Sequence, residues 1–318
     1  MNDGVTEMEK VAAGIVSFNP EIDRLNDNIN AMLNQVDHVY IFDNGSYNST
    51  ELQKLISNNK NVTVKLSTEN RGLSNALNAL MNMAIKDGYE WMISMDQDSI
   101  MQDDAVQQFL SCSQEKDVAI ICPYVIDSRR KYMKYEYEHE TEEVEMCITS
   151  GSMTRLSVWK KLGGFDDFLF IDLIDNDYCK RLKLHNYKII RVNTVLMNQE
   201  FGRIVPRTEI VSRFFVKLGE LLHSTNIQKL SYKKYVDPRR VYYTCRNVLY
   251  LNKKFKLYGG IGYENYHCST FSGFLFFFCF ASVIRAQNKM ETLKMCVKGL
   301  LDGKKKAKIT QPLNVNMF

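Results

Sequence analysis

Five short runs of nearly unbroken apolar residues punctuate the first two thirds of the chain: VAAGIVSF (11–18), HVYIF (38–42), VTVKL (62–66), WMISM (91–95) and VAIIC (118–122). Runs without polar alternation belong to strands covered on both faces. Between them the period lengthens. Residues 21–34 place Ile22, Leu25, Ile29 and Leu33 at helical spacing, and residues 72–87 repeat the pattern with Leu73, Ala76, Leu77, Leu80 and Ala84. Strand and helix patterns in alternation predict an α/β fold of Rossmann-like type, with a mostly parallel sheet and helices on both sides. In such sheets a ligand binds at the carboxyl ends of the strands, where the connecting loops open.

Beyond residue 203 the pattern changes. The segment KKYVDPRRVYYTCRNVLYLNKKFKLYGG (233–260) is basic and aromatic, and STFSGFLFFFCFASVI (269–284) is almost wholly apolar. The latter is shorter than the roughly 20 residues that cross a bilayer. It predicts either a buried helix or one lying in a membrane interface beside basic neighbours. Residues 204–318 therefore read as a helical C-terminal extension.

Composition narrows the classes without choosing among them. With 318 residues, 45% hydrophobic and 25% charged, the chain has material for one large soluble domain or somewhat more. A formal charge of +4 is too small for a nucleic-acid binder, so no nucleic-acid partner is expected. The eight cysteines form no C-x-x-C pair, which predicts neither a zinc site nor a disulfide framework and suits a reducing, cytoplasmic setting. The start, MNDGVTEMEK, lacks the apolar core of a secretory signal.

Polar residues gather at the predicted strand ends: Asn19 and Pro20, then DNGS (43–46), ENRG (69–72) and Asp96 to Ser99. Any one of these loops reads as a turn or a cap, whereas all four together outline a cleft. Asp96 and Asp98 set two like charges at the end of an apolar strand. If the strand continues through them, both side chains point to one side. Oxygen ligands so placed suit magnesium or manganese, which cancels their repulsion and can clamp a departing diphosphate.

A second acidic group lies in GGFDDFLFIDLIDNDYCKRLKLHNYKII (163–190). Offsets of three and four place Asp172, Asp175 and Cys179 on one face of a predicted helix. Asp166, Asp167 and Asp177 read as acids favoured near a helix start. Asp172 and Asp175, set among Phe170, Ile171, Leu173 and Ile174, are candidates for a general base whose pKa is raised by apolar surroundings. Arg181 is read either as the partner of one of these two aspartates or as a solvated charge, and His185 as a surface residue near a helix end.

Together GIVSFNP (14–20), IFDNGS (41–46), NRGLSNALNAL (70–80), MDQDS (95–99), the stretch 149–182 and YYTCRNVLYL (242–251) resemble family 2 glycosyltransferases with the GT-A fold, within them the bacterial rhamnosyltransferase-like subgroup. The resemblance implies a catalytic domain over residues 1–203, with a nucleotide-sugar half near 10–100 and an acceptor half near 101–203. It implies a nucleotide pocket lined by Ser17, Asn19, Pro20, Asp43, Asn44 and Ser46, with Asp43 on the base or ribose, closed by Asn70, Arg71 and Gly72. Asp96 and Asp98 would hold Mn2+ or Mg2+ and the diphosphate, with Gln97 between them on the nucleotide-sugar, and Ser150, Gly151 and Ser152 would floor the acceptor side. Asp175 is implied as the base of an inverting displacement, with Asp172 the second choice. Relatives often carry a metal-binding histidine where this chain has Gln199, whose amide oxygen is also able to ligate a hard cation.

The implied function is transfer of a sugar to a bacterial surface glycan such as an O-antigen or capsule repeat. The favoured donor is dTDP-L-rhamnose, with a UDP-sugar as the alternative. The implied acceptor is a polyprenyl-diphosphate-linked oligosaccharide, met at the inner face of the plasma membrane. A sugar-nucleotide pyrophosphorylase would instead carry a glycine-rich basic loop after its first strand, where this chain has SFNPEIDR. A non-catalytic assembly partner would have no use for Asp96, Asp98 and Asp175.

Overall fold

The protein is described by a computed structural model. It describes residues 9–315 apart from 58, 131, 262, 264, 265 and 267, so most of MNDGVTEMEK and the last three residues of the tail lie outside it. The chain forms two compact units. The first holds the chain up to Val125 with Tyr137–Phe170 and Ile174–Asn198, and the second holds Ile126–Glu136, Ile171–Leu173 and the chain from Gln199 onward.

The first unit begins β1 (Val11–Ser17), α1 (Ile22–Leu33), β2 (His38–Asp43), α2 (Ser49–Ile56), β3 (Val62–Leu66), α3 (Leu73–Lys86) and β4 (Trp91–Asp96). All five predicted strands form, and both predicted helices lie within a residue or two of their expected limits. α4 (Ala105–Ser111), β5 (Val118–Ile126), β6 (Thr141–Glu143), β7 (Ser152–Arg155), α5 (Leu156–Lys161), α6 (Ile174–Leu184) and β8 (Lys188–Asn198) follow. The sheet order is β3-β2-β1-β4-β7-β5-β8-β6. β3, β2, β1 and β4 are parallel, and β7 runs antiparallel to both β4 and β5.

Alternate strand residues feed two core layers. Val11, Ala13, Ile15, Val39, Ile41, Ile93 and Met95 pack with Leu25, Ile29 and Met32 of α1, Leu52 of α2 and Phe109 of α4. Each such aliphatic side chain withdrawn from water contributes about 1.5–3 kcal/mol. The opposite face receives α3 through Ala76, Leu77, Leu80 and Ala84, all buried. The parallel register sets Ser17 beside Asp43 and Val16 beside Asp96, so the polar loops after β1, β2 and β4 leave from one edge.

The second unit contains β9 (Ile204–Pro206), α7 (Glu209–Leu221), α8 (Thr225–Gln228), β10 (Tyr232–Lys234), α9 (Pro238–Lys254), α10 (Phe271–Phe274), α11 (Ala281–Arg285) and α12 (Lys289–Ile309). Pro238 starts α9 behind Asp237, whose carboxylate accepts from the Arg239 N–H. Asn288 caps α12 by accepting from the Glu291 N–H. α9 and α12 meet backbone to backbone, since a Cβ on Gly299 would lie 2.4 Å from the Tyr242 carbonyl oxygen and one on Gly303 2.6 Å from that of Arg246.

The apolar segment 269–284 is neither wholly buried nor a span. It forms α10, a π-helical stretch over Leu275–Phe280 and α11; Phe274 and Cys279 point inward, while Phe276, Phe277, Phe280 and Ile284 are exposed. Among the described residues no helix is long and apolar enough to cross a membrane.

Candidate active site

Three loops at the strand edge are tied to one another. The Ser17 hydroxyl donates to Asp43 Oδ1 at 3.2 Å, the Ser46 N–H donates to Asp43 Oδ2 at 3.1 Å, and the Ser46 hydroxyl donates to the same carboxylate. Asp43 is shut off from solvent. In this arrangement it braces the loops, and contact with a base or ribose would require it to exchange a serine. The Asn19 N–H donates to Ser46 Oγ at 2.7 Å, the Tyr47 N–H returns to Asn19 Oδ1 at 3.0 Å, and Asn48 Nδ2 reaches the Pro20 carbonyl at 2.9 Å. Asn44 extends the tie to ENRG: its Oδ1 accepts from the Arg71 N–H at 2.8 Å and its Nδ2 donates to the Gly72 carbonyl at 3.2 Å.

Gly72 is required where it stands. Its φ is +90°, and a Cβ there would sit 2.7 Å from the Phe170 carbonyl oxygen. The Asn70 side chain accepts from its N–H at 3.0 Å. α3 therefore starts directly against residues 169–170, and the Ser74 hydroxyl donates to the Leu169 carbonyl at 2.7 Å. One turn on, Asn78 clamps Phe165 from both sides, donating to its carbonyl at 2.9 Å and accepting from its N–H at 2.9 Å, and also donates to Asp167 Oδ1 at 2.7 Å. Ser74 and Asn78 were absent from the predicted site. Their signal was present in SNALNAL, where polar residues four apart interrupt an otherwise apolar helix.

β4 ends at Asp96, and Gln97 and Asp98 lie in a turn closed by the Ser99 N–H on the Asp96 carbonyl at 3.3 Å. Strand alternation therefore does not set the two carboxylates on one side; the turn places them instead. Gln97 accepts from the Phe18 N–H at 2.8 Å, which joins this turn to the loop after β1. From α1, Asn28 Nδ2 donates to the Asp96 carbonyl at 2.7 Å and Arg24 to that of Asp98 at 3.2 Å. Arg24 is a basic group beside the acidic turn that the sequence reading passed over.

Two carboxylates, Asp98 exposed and Asp96 half-buried, form an oxygen-rich, open donor set, which fits a hard cation that shares its remaining positions with phosphate and water. Gln199 belongs to the second unit, where it is buried and its N–H bonds to the Ile126 carbonyl at 2.8 Å.

Ser150, Gly151 and Ser152 are buried beneath the acidic turn. Ser150 Oγ accepts from the Asp96 N–H at 3.1 Å, and the Gly151 N–H donates to the Ser94 carbonyl at 2.7 Å. With residue exposures of 3%, Ser150 and Ser152 act as a support, not as an open floor. Ser152 lines a small cavity with Thr154, Phe165, Asp175 and Tyr178. Burial pushes the Tyr178 phenol well up from its ordinary value, so it stays neutral there.

The acidic segment departs from its predicted geometry. Asp172 is not on the helix: it and Leu173 have φ of +68° and +65°, and α6 starts only at Ile174. Three- and four-residue offsets therefore do not align Asp172 with Asp175. Asp172 pairs instead with Arg240 of α9, whose Nε donates to its Oδ2 at 2.9 Å and whose second nitrogen donates to Oδ1. Asn247, two turns along α9, donates to the Ile171 and Asp172 carbonyls, each at 2.9 Å. An aspartate engaged in this way holds a turn. Asp175 stands in the first turn of α6, half-buried, with Oδ1 accepting from the Asn176 N–H at 3.0 Å.

Arg181 pairs with neither predicted aspartate. Its Nη2 lies 2.8 Å from Asp177 Oδ2, both residues are buried, and it also donates to the Leu162 and Gly164 carbonyls at 2.7 and 2.6 Å. Asp177 does lie in the first turn of α6, as predicted, and is in addition a buried anchor. Removing one partner of such a pair costs about 3–5 kcal/mol. His185, just past the end of α6, is half-buried.

Against this geometry, the profile of Glycosyl transferase family 2 matches residues 13–179, which run from β1 into α6 and include every loop described above. The chain belongs to glycosyl transferase family 2. Within curated proteins, this family 2 chain is 31% identical over 196 residues to the dTDP-rhamnosyl transferase RfbF of Shigella flexneri, a match covering 57% of this chain and 64% of that relative. The chain thus spans somewhat under two thirds of that relative's length.

Among solved structures it is similar to GalNAc-T7 with UDP, GalNAc and Mn2+, with a TM-score of 0.52 and 12% identity over 86% of this chain and 57% of the other. It is also similar to the mannosyltransferase PcManGT from Pyrobaculum calidifontis in complex with GDP-Man and Mn2+, with a TM-score of 0.50 and 12% identity over 96% and 88%. At that identity the likeness is one of fold, and it places the family 2 chain in the GT-A architecture.

Proposed function

We propose that this chain is an inverting, divalent-cation-dependent glycosyltransferase that moves a sugar, L-rhamnose from dTDP-L-rhamnose by preference, onto a growing bacterial surface polysaccharide. The observation that carries the reading is the acidic turn at the open end of β4, tied by Gln97 into the loop after β1, which Ser46 in turn joins to the loop after β2. The 31% identity to a dTDP-rhamnosyl transferase supports the choice of donor over a UDP-galactose or UDP-glucose.

Asn19, Pro20, Asn44, Ser46 and the Asn70–Gly72 turn hold the nucleotide, with Asp43 fixing their positions. Asp96 and Asp98 would hold Mn2+ or Mg2+, which when bound would supply positive charge against the leaving diphosphate. Arg24 adds charge at the same end. Asp175 takes the proton of the acceptor hydroxyl; that oxygen bonds to the anomeric carbon as the bond from carbon to diphosphate oxygen breaks on the opposite face, which inverts the centre. Asp172 and Arg240 hold the turn that leads into α6.

The acceptor is a polyprenyl-diphosphate-linked oligosaccharide at the inner face of the plasma membrane, reached through residues 204–318. The exposed Phe276, Phe277 and Phe280, with the row Leu293, Val297 and Leu301 on α12 beside Lys294, Lys298 and Lys305, supply the apolar and basic chemistry of a lipid interface.

Incubation of the purified protein and Mn2+ with a panel of nucleotide sugars tests the reading. Release of dTDP from dTDP-L-rhamnose, abolished by EDTA, is the expected result. Release from a UDP-sugar alone would move the donor assignment, and release from none, with any lipid-linked acceptor, would remove the enzyme reading.

A further inference from the structure

The cysteine spacing of the sequence predicts no metal site, yet three cysteines far apart in the chain converge inside the second unit. Cys245 of α9 lies with its Sγ 3.7 Å from that of Cys279, in the π-helical stretch, and 3.7 Å from that of Cys296 on α12. All three sulfurs lie within 4.8 Å of one another, and the residues are 0%, 5% and 4% exposed. Among the described residues no other group of three such side chains comes together in this way.

The spacing excludes a disulfide and admits a shared cation. A disulfide requires sulfurs at about 2.05 Å. A cation with metal–sulfur bonds of about 2.3 Å holds tetrahedral ligands about 3.8 Å apart. All eight cysteines are free thiols, and the two separations of 3.7 Å match the second distance.

One further feature agrees with a ligand. Cys279 sits on a π-helical segment, a local widening of the helix that recurs at functional positions. Thiolate sulfur selects soft cations over the hard ones that suit Asp96 and Asp98.

We propose that Cys245, Cys279 and Cys296 form a three-thiolate site for a thiophilic d10 cation, zinc(II) or copper(I), in the C-terminal helical unit. Each thiol that ligates releases its proton to solvent, with no change of oxidation state. The cation would join α9, the π-helical stretch and α12 at one point and stiffen the unit that is proposed to meet lipid.

The test uses the full reduced chain, stripped of metal, in separate titrations with zinc(II), copper(I) and, as a spectroscopic probe, cobalt(II). One equivalent of zinc or copper bound against a competing chelator is expected, with a thiolate-to-cobalt charge-transfer band and a raised unfolding temperature. The arm that saturates names the metal. Cys245→Ser and Cys296→Ser, checked by circular dichroism for retained helix, should lose the band and the equivalent, whereas Cys112→Ser keeps both. Three thiols packed only as small apolar groups would bind neither cation stoichiometrically. That result in the unmutated chain, or unchanged binding in both variants, overturns the proposal whatever the state of the variants' folding.

Discussion

Asp127 shows how a single side chain organises its surroundings. Burial alone would push its carboxyl up, but hydrogen bonds from Arg129, the Phe201 N–H and Arg130 outweigh it and hold the pKa down to about 2. A carboxylate depressed on folding contributes stability that is fully present above its unfolded value, near 3.9, and lost as pH falls through about 2. The denaturant midpoint of the native chain should therefore exceed that of Asp127→Asn clearly at about pH 6, and the gap should narrow below about pH 3. A gap independent of pH would mean that the arginine contacts do not stabilise the ionised form.

At the same scale the sequence was partly misleading. Asp172 and Asp175 stand out in the sequence as acids among apolar neighbours, yet a three-residue offset looks the same on a helix and across two left-handed residues that precede one. Arg181 offered a charge without its partner, because Asp177 also satisfied the simpler reading of a helix-start acid.

Elements were easier to read than their ends. β1, β2 and β4 announced themselves because both faces are covered, and α1 and α3 because each has a single apolar stripe; β3, at the sheet edge, leaves Thr63, Lys65 and Leu66 exposed, against the expectation of a strand covered on both faces. Residues 126–136 and 171–173 carry no such periodicity, and their grouping with the C-terminal unit rests on side chains far away in sequence, Arg240 and Asn247 among them. The three cysteines were illegible for the same reason. The α9–α12 contact depends on glycine, so Gly303→Leu should drive the side chain into the Arg246 backbone. A loss of about 1–3 kcal/mol or more is expected from such overpacking, against little change for the exposed Lys304→Ala. Equal melting temperatures for the two variants would show that the helices do not meet closely at Gly303.

For the whole molecule, the lipid-linked acceptor proposed above would require a surface that meets lipid without a span. Vesicle flotation should recover the native chain on liposomes containing anionic lipid and lose it at high salt. Phe276→Ser with Phe277→Ser and Phe280→Ser should reduce recovery several-fold while nucleotide release persists. Equal recovery of the triple variant would place lipid contact elsewhere.

In the proposed mechanism the acidic turn binds the donor and the first turn of α6 supplies the base, and one paired measurement separates them. Donor affinity in the presence of Mn2+ and sugar transfer to acceptor are measured side by side for the native chain, Asp96→Ala and Asp175→Asn. Asp96→Ala should lose donor affinity and transfer together. Asp175→Asn should bind donor as the native chain does while transfer falls by about 10²–10⁴, the range expected for a missing general base. Full transfer by Asp175→Asn, or native donor affinity in Asp96→Ala, would contradict the account.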